Sequence, residues 1–315
     1  MRIVEEFIPT YPLKIPILFL TYNRIQTTRE VFSVLRKVKP PKLYIASDGP
    51  KKDDIEDRRK VQTVRDFILR HIDWNCEVRT LFRDQNFGCR LAVSSAITWF
   101  FENEEMGIIL EDDTLPSISF FWFCQELLEK YRNEHRVWHI GGNNFQRGIL
   151  RGDGDYYFSI FNHIWGWASW SDRWKYYDLN LSNIKDSSFI DRYFYPNKSA
   201  IHFFKKVFER IKNGKITSTW DYQYTFTIWY YGGLSIVPNI NLVKNIGFGI
   251  DAVHAHDRND PLANLPIYEM ILERHPSGIV RIHEADELTY EIAYKPRPLA
   301  VRIKNKLKRF LKIFK

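Results

Sequence analysis

Residues 106–116 read MGIILEDDTLP, an apolar run that leads into three consecutive carboxylates. The run Gly107–Leu110 is typical of a short strand buried on both faces of a sheet. The carboxylates Glu111, Asp112 and Asp113 then lie at its carboxyl end, where adjacent like charges repel one another and burial strengthens the repulsion. A divalent cation such as Mg²⁺ or Mn²⁺ prefers oxygen ligands and would relieve that repulsion. The alternative is a solvated acidic turn without a ligand.

The chain before this stretch alternates short apolar runs with amphipathic segments. This order predicts an α/β fold with a mixed, mainly parallel sheet and right-handed crossovers. The first helix is expected to begin at Thr27 or Thr28, since threonine can cap a helix. Strands are predicted at 15–20, 43–46 and 76–82, and helices after each of them, up to 38, over 53–72 and over 90–105.

Polar tips follow four successive strands of this half. Ligands of parallel α/β sheets bind beyond the carboxyl ends of the strands, so these tips are expected to share one site. The tips are Thr21–Arg24, Asp48–Gly49, Asn86–Gly88 and Glu111–Asp113. Neither a GxxxxGK[ST] phosphate loop nor a GxGxxG turn follows the first strand, which disfavours an ATPase and a dinucleotide-dependent dehydrogenase.

The second half of the chain is richer in aromatic residues. No internal repeat or low-complexity linker separates it from the first half, so residues 1–294 are predicted to form a single domain. The two halves, 15–115 and 116–260, are expected to bind the nucleotide and the acceptor respectively. The elements predicted here are a helix at 117–131, a strand at 137–141, an aromatic block at 158–174, a helix at 202–212, an aromatic and β-branched stretch at 224–231 and a strand at 234–237.

Composition is typical of a globular protein in a reducing compartment. The 315 residues suffice for a large core, and 16% of them are aromatic. The three cysteines, Cys76, Cys89 and Cys124, have no short ligand spacing, which disfavours a disulfide framework or a zinc site. The first residues do not form a signal peptide, and no apolar run reaches the roughly 18 to 20 residues of a spanning helix. A cytoplasmic protein is expected.

The net charge of +8 comes from the last residues rather than from the body of the chain. Nine Lys and Arg and no acid lie in 295–315, which leaves 37 basic and 38 acidic residues in 1–294. This distribution disfavours nucleic acid as a partner. Residues 297–315 place apolar side chains at three- and four-residue steps among lysines and arginines, as in amphipathic helices that lie on an anionic membrane surface. A disordered basic end is the alternative.

The ordered set of motifs resembles the nucleotide-sugar glycosyltransferases of the GT-A (Rossmann-like) fold. It is most similar to the branch that contains the N-acetylglucosaminyltransferase I type enzymes and their bacterial relatives. The similar segments lie within 15–256 and are TYNR, SDG, NFGCR, EDD, the aromatic GW block, the WD pair and a late His. The resemblance implies an inverting hexosyl- or N-acetylhexosaminyltransferase that uses a nucleotide-diphospho-sugar, with a UDP-sugar favoured and Mn²⁺ or Mg²⁺ as cofactor. The implied acceptor is a glycan or lipid-linked glycan of surface polysaccharide synthesis, which fits a cytoplasmic enzyme at the inner face of the membrane.

The resemblance also implies roles for individual residues. Asp113 of the DxD-type triplet would bind the metal, together with His254 or its neighbour His256. Asp221 would be the catalytic base that takes the proton of the acceptor hydroxyl. The Asp48 carboxylate is suited to accept the N3–H of uracil. The residues implied to bind the donor are Thr21, Asn23, Arg24, Asp48, Asn86, Arg90, Glu111 and Asp112.

The residues implied to bind the acceptor or the sugar are Asn143, Trp165, Gly166, Trp167 and Trp220. Each assignment has a structural alternative. Trp165 and Trp167 could pack in the core as alternate residues of a buried strand. Asn143 could belong to a turn, and Asp221 could cap a helix.

Two other functions are compatible with the sequence. A sugar nucleotidyltransferase would use a related sheet, but TYNRIQTTR lacks the glycine-rich phosphate loop expected after the first strand. A non-catalytic glycan- or membrane-binding protein could keep the fold without the chemistry. Asp113 and Asp221 count against that second alternative because a binding protein needs neither a metal ligand nor a base.

Overall fold

The computed structural model describes residues 1–248, 262–263 and 265–296. Its centre is a mixed sheet of eight strands, and two sheets of two strands each lie outside it. Helices cover both faces of the central sheet. The predicted α/β architecture is therefore confirmed. Within the described ranges, no helix is both long enough and apolar enough to cross a membrane.

The described strands are β1 (Arg2–Val4), β2 (Ile17–Thr21), β3 (Lys42–Ser47), β4 (Glu77–Phe82), β5 (Met106–Glu111), β6 (Thr114–Pro116), β7 (Val137–Gly141), β8 (Tyr156–Ser159), β9 (Trp167–Trp170), β10 (Leu234–Pro238), β11 (Val243–Asn245) and β12 (Glu269–Ile271). The described helices are α1 (Ile25–Val38), α2 (Ile55–His71), α3 (Gly88–Phe101), α4 (Ser119–Lys130), α5 (Ser171–Trp174), α6 (Phe189–Phe194), α7 (Lys198–Lys212), α8 (Asp221–Tyr230) and α9 (His283–Thr289), followed by a π-helical turn at Tyr290–Tyr294.

The order of strands across the central sheet is β4-β3-β2-β5-β9-β7-β10-β8. The first four strands pair in parallel, as the alternation of strands and helices predicts. Strand β9 pairs antiparallel with both β5 and β7, so β7 runs in the same direction as β5. Strand β10 is parallel to β7, and β8 closes the far edge antiparallel to β10. The carboxyl ends of β2, β3, β5 and β7 therefore meet at one edge of the sheet.

Strand β2 shows how the core divides between the two faces. Ile17 and Phe19 pack with apolar residues of α1, α2 and α4. Leu18 and Leu20 point to the other face and pack with α3 and with the aromatic helices α6, α7 and α8. Successive side chains of a strand alternate between faces, so an unbroken apolar run requires helices on both.

One local prediction is wrong. Helix α1 begins at Ile25 with Arg24 as its N-cap, not at Thr27 or Thr28. The Thr28 hydroxyl instead donates to the Arg24 carbonyl from inside the first turn. The aromatic and β-branched stretch at 224–231, to which no element was assigned, lies largely in helix α8, whose residues 223–229 are all buried. Tertiary packing there outweighs the strand preference of the residues.

The small sheet of β6 and β11 has no counterpart in the predicted elements. It pairs Thr114 with Asn245 and Pro116 with Val243 in antiparallel register. The pairing brings the chain that follows β11 alongside the three carboxylates at the end of β5. The second half of the sequence thereby contributes backbone to the site formed by the first half.

Candidate functional site

The centre of the candidate site is the acid edge, formed by Glu111, Asp112 and Asp113 at the end of β5. One guanidinium faces two of these carboxylates. Arg24 Nη2 donates to Asp112 Oδ1 at 2.7 Å, and Arg24 Nη1 lies 2.9 Å from Asp113 Oδ2. The backbone N–H of Tyr22 donates to Asp112 Oδ2 at 3.1 Å. The tip of β2 therefore binds the acid edge directly, in agreement with the predicted convergence of strand tips.

Negative charge at the acid edge exceeds the positive charge that the described side chains supply to it. Burial raises the pKa of Glu111, and the charges of Asp113 and Asp112 raise it further. Burial also raises the pKa of Asp112, against the opposing effect of Arg24. Asp112 is almost fully buried, whereas Asp113 remains 13% exposed. Asp113 thus has more access than Asp112 to a ligand from outside.

The segment after β11 passes directly over Asp113. The N–H of Ile246 donates to the Asp113 carbonyl at 2.8 Å. A Cβ atom built on Gly247 would lie 2.2 Å from Asp113 Oδ2, so only glycine fits at this position without displacing the carboxylate. Phe248 packs edge-on against Trp165, with ring centroids 5.8 Å apart.

The late histidines lie outside the described residues. His254 and His256 follow the segment that contacts Asp113, and their predicted metal-binding role remains a prediction. Within 1–248, 262–263 and 265–296, no three His, Cys, Asp or Glu side chains form a group that could hold a metal ion. Among the residues predicted to bind the metal, the described structure therefore places Asp113 alone.

Asp221 lies at the amino end of α8, on the same side of the sheet as the acid edge. Its position is fixed by Trp220, the N-cap residue, whose side chain is only 2% exposed. Thr225 one turn later donates to the Asp221 carbonyl and also to Asn162 Oδ1. The positive end of the helix dipole stabilises a carboxylate at this position.

The charge of Asp221 reaches the acid edge and the amino end of α3. It contributes to the raised pKa of Glu111, after burial and the adjacent carboxylates. It also contributes to the raised pKa of the Cys89 thiol, for which desolvation is the largest cause. The carboxylates that act on Cys89 are Glu111, Asp221, Asp113 and Asp48. Carboxylates from both halves of the chain therefore act on the same region.

Asp48 organises the neighbouring strand tip. Its carboxylate accepts hydrogen bonds from the backbone N–H groups of Phe87 and Gly88 at the start of α3, from Asn86 Nδ2 and from the Gly49 N–H. It thereby caps α3 from another strand. The predicted contact of Asp48 with uracil would require one of these bonds to open. Asn86, also predicted to bind the donor, is held between Asp48 and the Gly49 carbonyl.

Asp57 is a residue of the site that sequence reasoning missed. It is 5% exposed and accepts hydrogen bonds from Tyr22 Oη at 2.5 Å, Asn23 Nδ2 at 2.6 Å and the Lys51 N–H at 2.7 Å. These bonds tie the tip of β2 to the start of α2. The side chain of Asn23, predicted to bind the donor, is therefore engaged with Asp57. The sequence signal available was only a helix start, since Asp54 caps α2 through the Asp57 N–H.

Two other residues predicted to bind the donor have structural partners. Arg90 Nη2 donates to the Leu179 carbonyl and to Asn180 Oδ1, both at 2.8 Å, and so anchors the loop after α5. The buried Thr21 side chain donates to the Ala46 carbonyl at 3.4 Å. Neither side chain is an ordinary surface group, and neither is directed freely at a ligand.

The aromatic GW block divides into a core part and a site part. Trp167 is fully buried and stacks on Trp220, with ring centroids 6.0 Å apart. Asn143 is fully buried and donates to the Val243 carbonyl at 2.7 Å. All three side chains are buried in the described structure, and their contact with an acceptor stays a prediction.

Trp165 and Gly166 remain next to the acid edge. Trp165 is half-buried and packs against Phe145 and Phe248. Gly166 has a φ of +68°, and a Cβ there would lie 2.9 Å from the Val243 side chain. Glycine therefore lets the chain turn closely over β11, and Trp165 is placed beside the segment that covers Asp113.

Comparisons with known proteins leave the family open. No family model and no curated protein matches the chain. Among solved structures, HddC from Yersinia pseudotuberculosis is 12% identical, with a TM-score of 0.32 over 50% of this chain and 77% of that one. The mannosyltransferase PcManGT from Pyrobaculum calidifontis, in complex with GDP-Man and Mn²⁺, is 10% identical, with a TM-score of 0.39 over 70% and 71%. TarS 1-349 of S. aureus is 10% identical, with a TM-score of 0.39 over 73% and 59%. Similarity of this size assigns neither a family nor an activity.

Asp57 generates a prediction on stability and pH. Burial alone would raise its pKa, but hydrogen bonds from Tyr22, Lys51 and Asn23 outweigh burial and lower it. A lowered pKa stabilises the fold above the pKa of the unfolded chain, about 3.9, and this stabilisation is lost as pH falls towards the folded value. Asp57→Asn is expected to lower the unfolding free energy at neutral pH by about 1–3 kcal/mol. It should also lose less stability than the natural chain on acidification below about pH 5.

Urea unfolding at a series of pH values measures both effects. Asp53→Asn is the matched control, because Asp53 is exposed and its backbone is left-handed, a conformation that Asn tolerates. Equal pH profiles for the Asp57 variant and the natural chain would contradict the assigned role.

Proposed function

We propose that this protein is a metal-dependent, inverting glycosyltransferase that moves a sugar from a UDP-sugar or a similar donor to a glycan or lipid-linked acceptor. The observation that carries the proposal is the arrangement of the acid edge and Asp221. Arg24 pairs with two of the three carboxylates, Asp112 and Asp113, and a further carboxylate on a separate helix, Asp221, acts on the third, Glu111. A cation and a diphosphate fit the carboxylates and the guanidinium of the acid edge. An acceptor hydroxyl that must lose its proton fits Asp221.

The acid edge suits a hard divalent cation. Burial raises the pKa values of Glu111 and Asp112 by disfavouring their ionised forms, and neighbouring negative charge raises them further. Asp113, which is more exposed than Asp112, is the residue proposed to hold Mn²⁺ or Mg²⁺, with His254 or His256 as further candidates. A cation held by few protein ligands would keep positions for phosphate oxygens and would neutralise the leaving diphosphate.

Arg24 supports the same chemistry without being a metal ligand. Its guanidinium already lies between Asp112 and Asp113. A planar guanidinium recognises phosphate as well as carboxylate. Arg24 is therefore proposed to stay on Asp112 and to offer its other nitrogen to the donor when a cation occupies Asp113.

Asp221 is proposed as the general base. The acceptor hydroxyl oxygen forms a bond to the anomeric carbon while the bond from that carbon to the phosphate oxygen breaks, and the electron pair leaves with the diphosphate. The proton of the hydroxyl passes to the Asp221 carboxylate. Attack from the face opposite the leaving group inverts the anomeric centre. Trp165, beside Asp113, is the aromatic side chain proposed to face the sugar.

The basic segment 297–315 lies outside the described residues, and its role is a proposal from sequence. Its lysines and arginines alternate with apolar residues at helical spacing. We propose that it binds an anionic membrane surface and holds the enzyme at the cytoplasmic face, where a lipid-linked acceptor would be presented.

Nucleotide binding tests the first half of the proposal. UDP with Mn²⁺ is expected to raise the thermal unfolding temperature of the natural chain by several degrees, since a ligand at 100 times its Kd contributes about 2.7 kcal/mol. UDP alone should give a much smaller shift, and Asp113→Ala should abolish the metal-dependent part. The panel should include GDP, CDP and dTDP, because the base preference is open.

Asp84→Ala is the control for this measurement. Asp84 is an exposed carboxylate on the loop between β4 and α3, so its removal changes the net charge equally without touching the acid edge. No stabilisation by any nucleotide diphosphate, with or without metal, would remove the support for a nucleotide-sugar enzyme.

Measured turnover tests the second half of the proposal, the role of Asp221 as general base. Asp221→Asn is expected to lower kcat by about 10²- to 10⁴-fold while the stabilisation by UDP and Mn²⁺ is kept, because the base acts on the acceptor rather than on the donor. Release of nucleotide diphosphate from a panel of nucleotide sugars gives the rate. Glu284→Gln makes the same change in the exposed first turn of α9 and should leave the rate unaltered. Normal turnover of the Asp221 variant would exclude it as the base.

A further inference from the structure

The loop Arg147–Arg151 exposes two adjacent aliphatic side chains between two arginines. Its sequence is RGILR, and it follows β7 on the way to β8. Ile149 is 48% exposed and Leu150 is 64% exposed. Single exposed aliphatic residues are common on protein surfaces, but an adjacent pair at the apex of a charged loop is a more specific feature.

The loop is held in this shape at both ends. On one side, the buried Gln146 side chain donates to the Ala285 carbonyl and to Thr289 Oγ1, both at 3.0 Å. On the other side, the Arg151 N–H donates to Asn239 Oδ1, and Asn239 Nδ2 donates back to the Arg151 carbonyl, both at 2.8 Å.

The two ends are also joined to each other. Arg151 Nε donates to Gln146 Oε1 at 2.9 Å. Arg147 and Gly148 have φ values of 53° and 84°, so the chain makes a tight turn before the aliphatic pair. The exposure of Ile149 and Leu150 is therefore built into the fold, since neither end of the loop can turn inward without breaking these bonds.

The loop lies on the same edge of the sheet as the candidate site. Strand β7 runs in the direction of β5, so its carboxyl end and the acid edge face the same way. The loop spans from β7 to β8, which are two and four strands away from β5 in the sheet order. Strands are spaced by about 4.8 Å, which places the loop roughly 10–20 Å from the acid edge across the sheet.

We propose that the loop Arg147–Arg151 docks on an anionic lipid bilayer, with Ile149 and Leu150 entering the interface and Arg147 facing lipid headgroups. An anionic bilayer matches both the aliphatic pair and the exposed arginine of the loop, because its apolar interior lies directly below negatively charged headgroups. In this orientation the acid edge faces the membrane. The inference goes beyond the proposed function and does not require the chemistry to be sugar transfer.

Vesicle flotation of the full chain tests the docking without any donor or acceptor. Vesicles of phosphatidylcholine with one quarter phosphatidylglycerol are compared with phosphatidylcholine alone. The double variant Ile149→Asp/Leu150→Asp is expected to bind the anionic vesicles at least about tenfold more weakly than the natural chain, since it loses two buried aliphatic side chains and adds two negative charges. The matched control is Ile8→Asp/Leu69→Asp, which changes aliphatic residues that are 74% and 46% exposed, with Leu69 near the carboxyl end of α2 and away from the acid edge.

Two further measurements separate the loop from the terminal segment. In a full chain with Lys304→Glu and Lys308→Glu, the remaining affinity for anionic vesicles should still fall when the loop substitutions are added. Hydrogen exchange should slow at 147–151 on addition of anionic vesicles and stay unchanged at 66–71, near the carboxyl end of α2. Equal vesicle binding by the loop variant and its control, or no protection of the loop, would overturn the proposal and indicate a protein partner for this surface.

Discussion

The rest of this structure depends on the contact of Arg24 with Asp112 and Asp113. Three consecutive carboxylates at the end of a buried strand repel one another, and the fold tolerates them because a guanidinium is held 2.7 and 2.9 Å from two of them. Arg24 can reach both because it is the N-cap of α1, directly after the tip of β2. The position at which α1 begins therefore also determines how Arg24 contacts the acid edge.

Hydrogen bonds also connect the other strand tips around the acid edge to neighbouring elements. Asp48 caps α3 across the sheet, and Asp57 holds Tyr22 and Asn23 against α2. From the second half of the chain, Gly247 lies against Asp113 with no room for a side chain. These contacts leave little freedom in the framework of the site, which is the condition for placing charges accurately around a ligand. They also mean that several residues with the right chemistry for binding a donor serve the framework instead.

The sequence was sufficient to predict the order of strands and helices in the first half and the edge at which the acids meet. Apolar runs of five or six residues can only be buried strands here, and parallel strands bring their carboxyl ends together. It was not sufficient to separate Trp165 from Trp167, because residues two apart in a strand face the same way and only the structure shows that β9 begins at Trp167, with Trp165 outside it. It could not assign Asp48 or Asp57 either, since their partners lie far away in the chain. The pairing of β6 with β11, which brings Gly247 to Asp113, is likewise invisible before the fold is known.

The central claim is that the acid edge is completed by a divalent cation at Asp113 when a nucleotide diphosphate is bound. The most direct measurement is anomalous diffraction from crystals grown with UDP and Mn²⁺. The account predicts a manganese peak in direct contact with the Asp113 carboxylate, with Arg24 retained on Asp112 and released from Asp113. Bound nucleotide without manganese at the acid edge, and with Arg24 still joining Asp112 to Asp113, would contradict it.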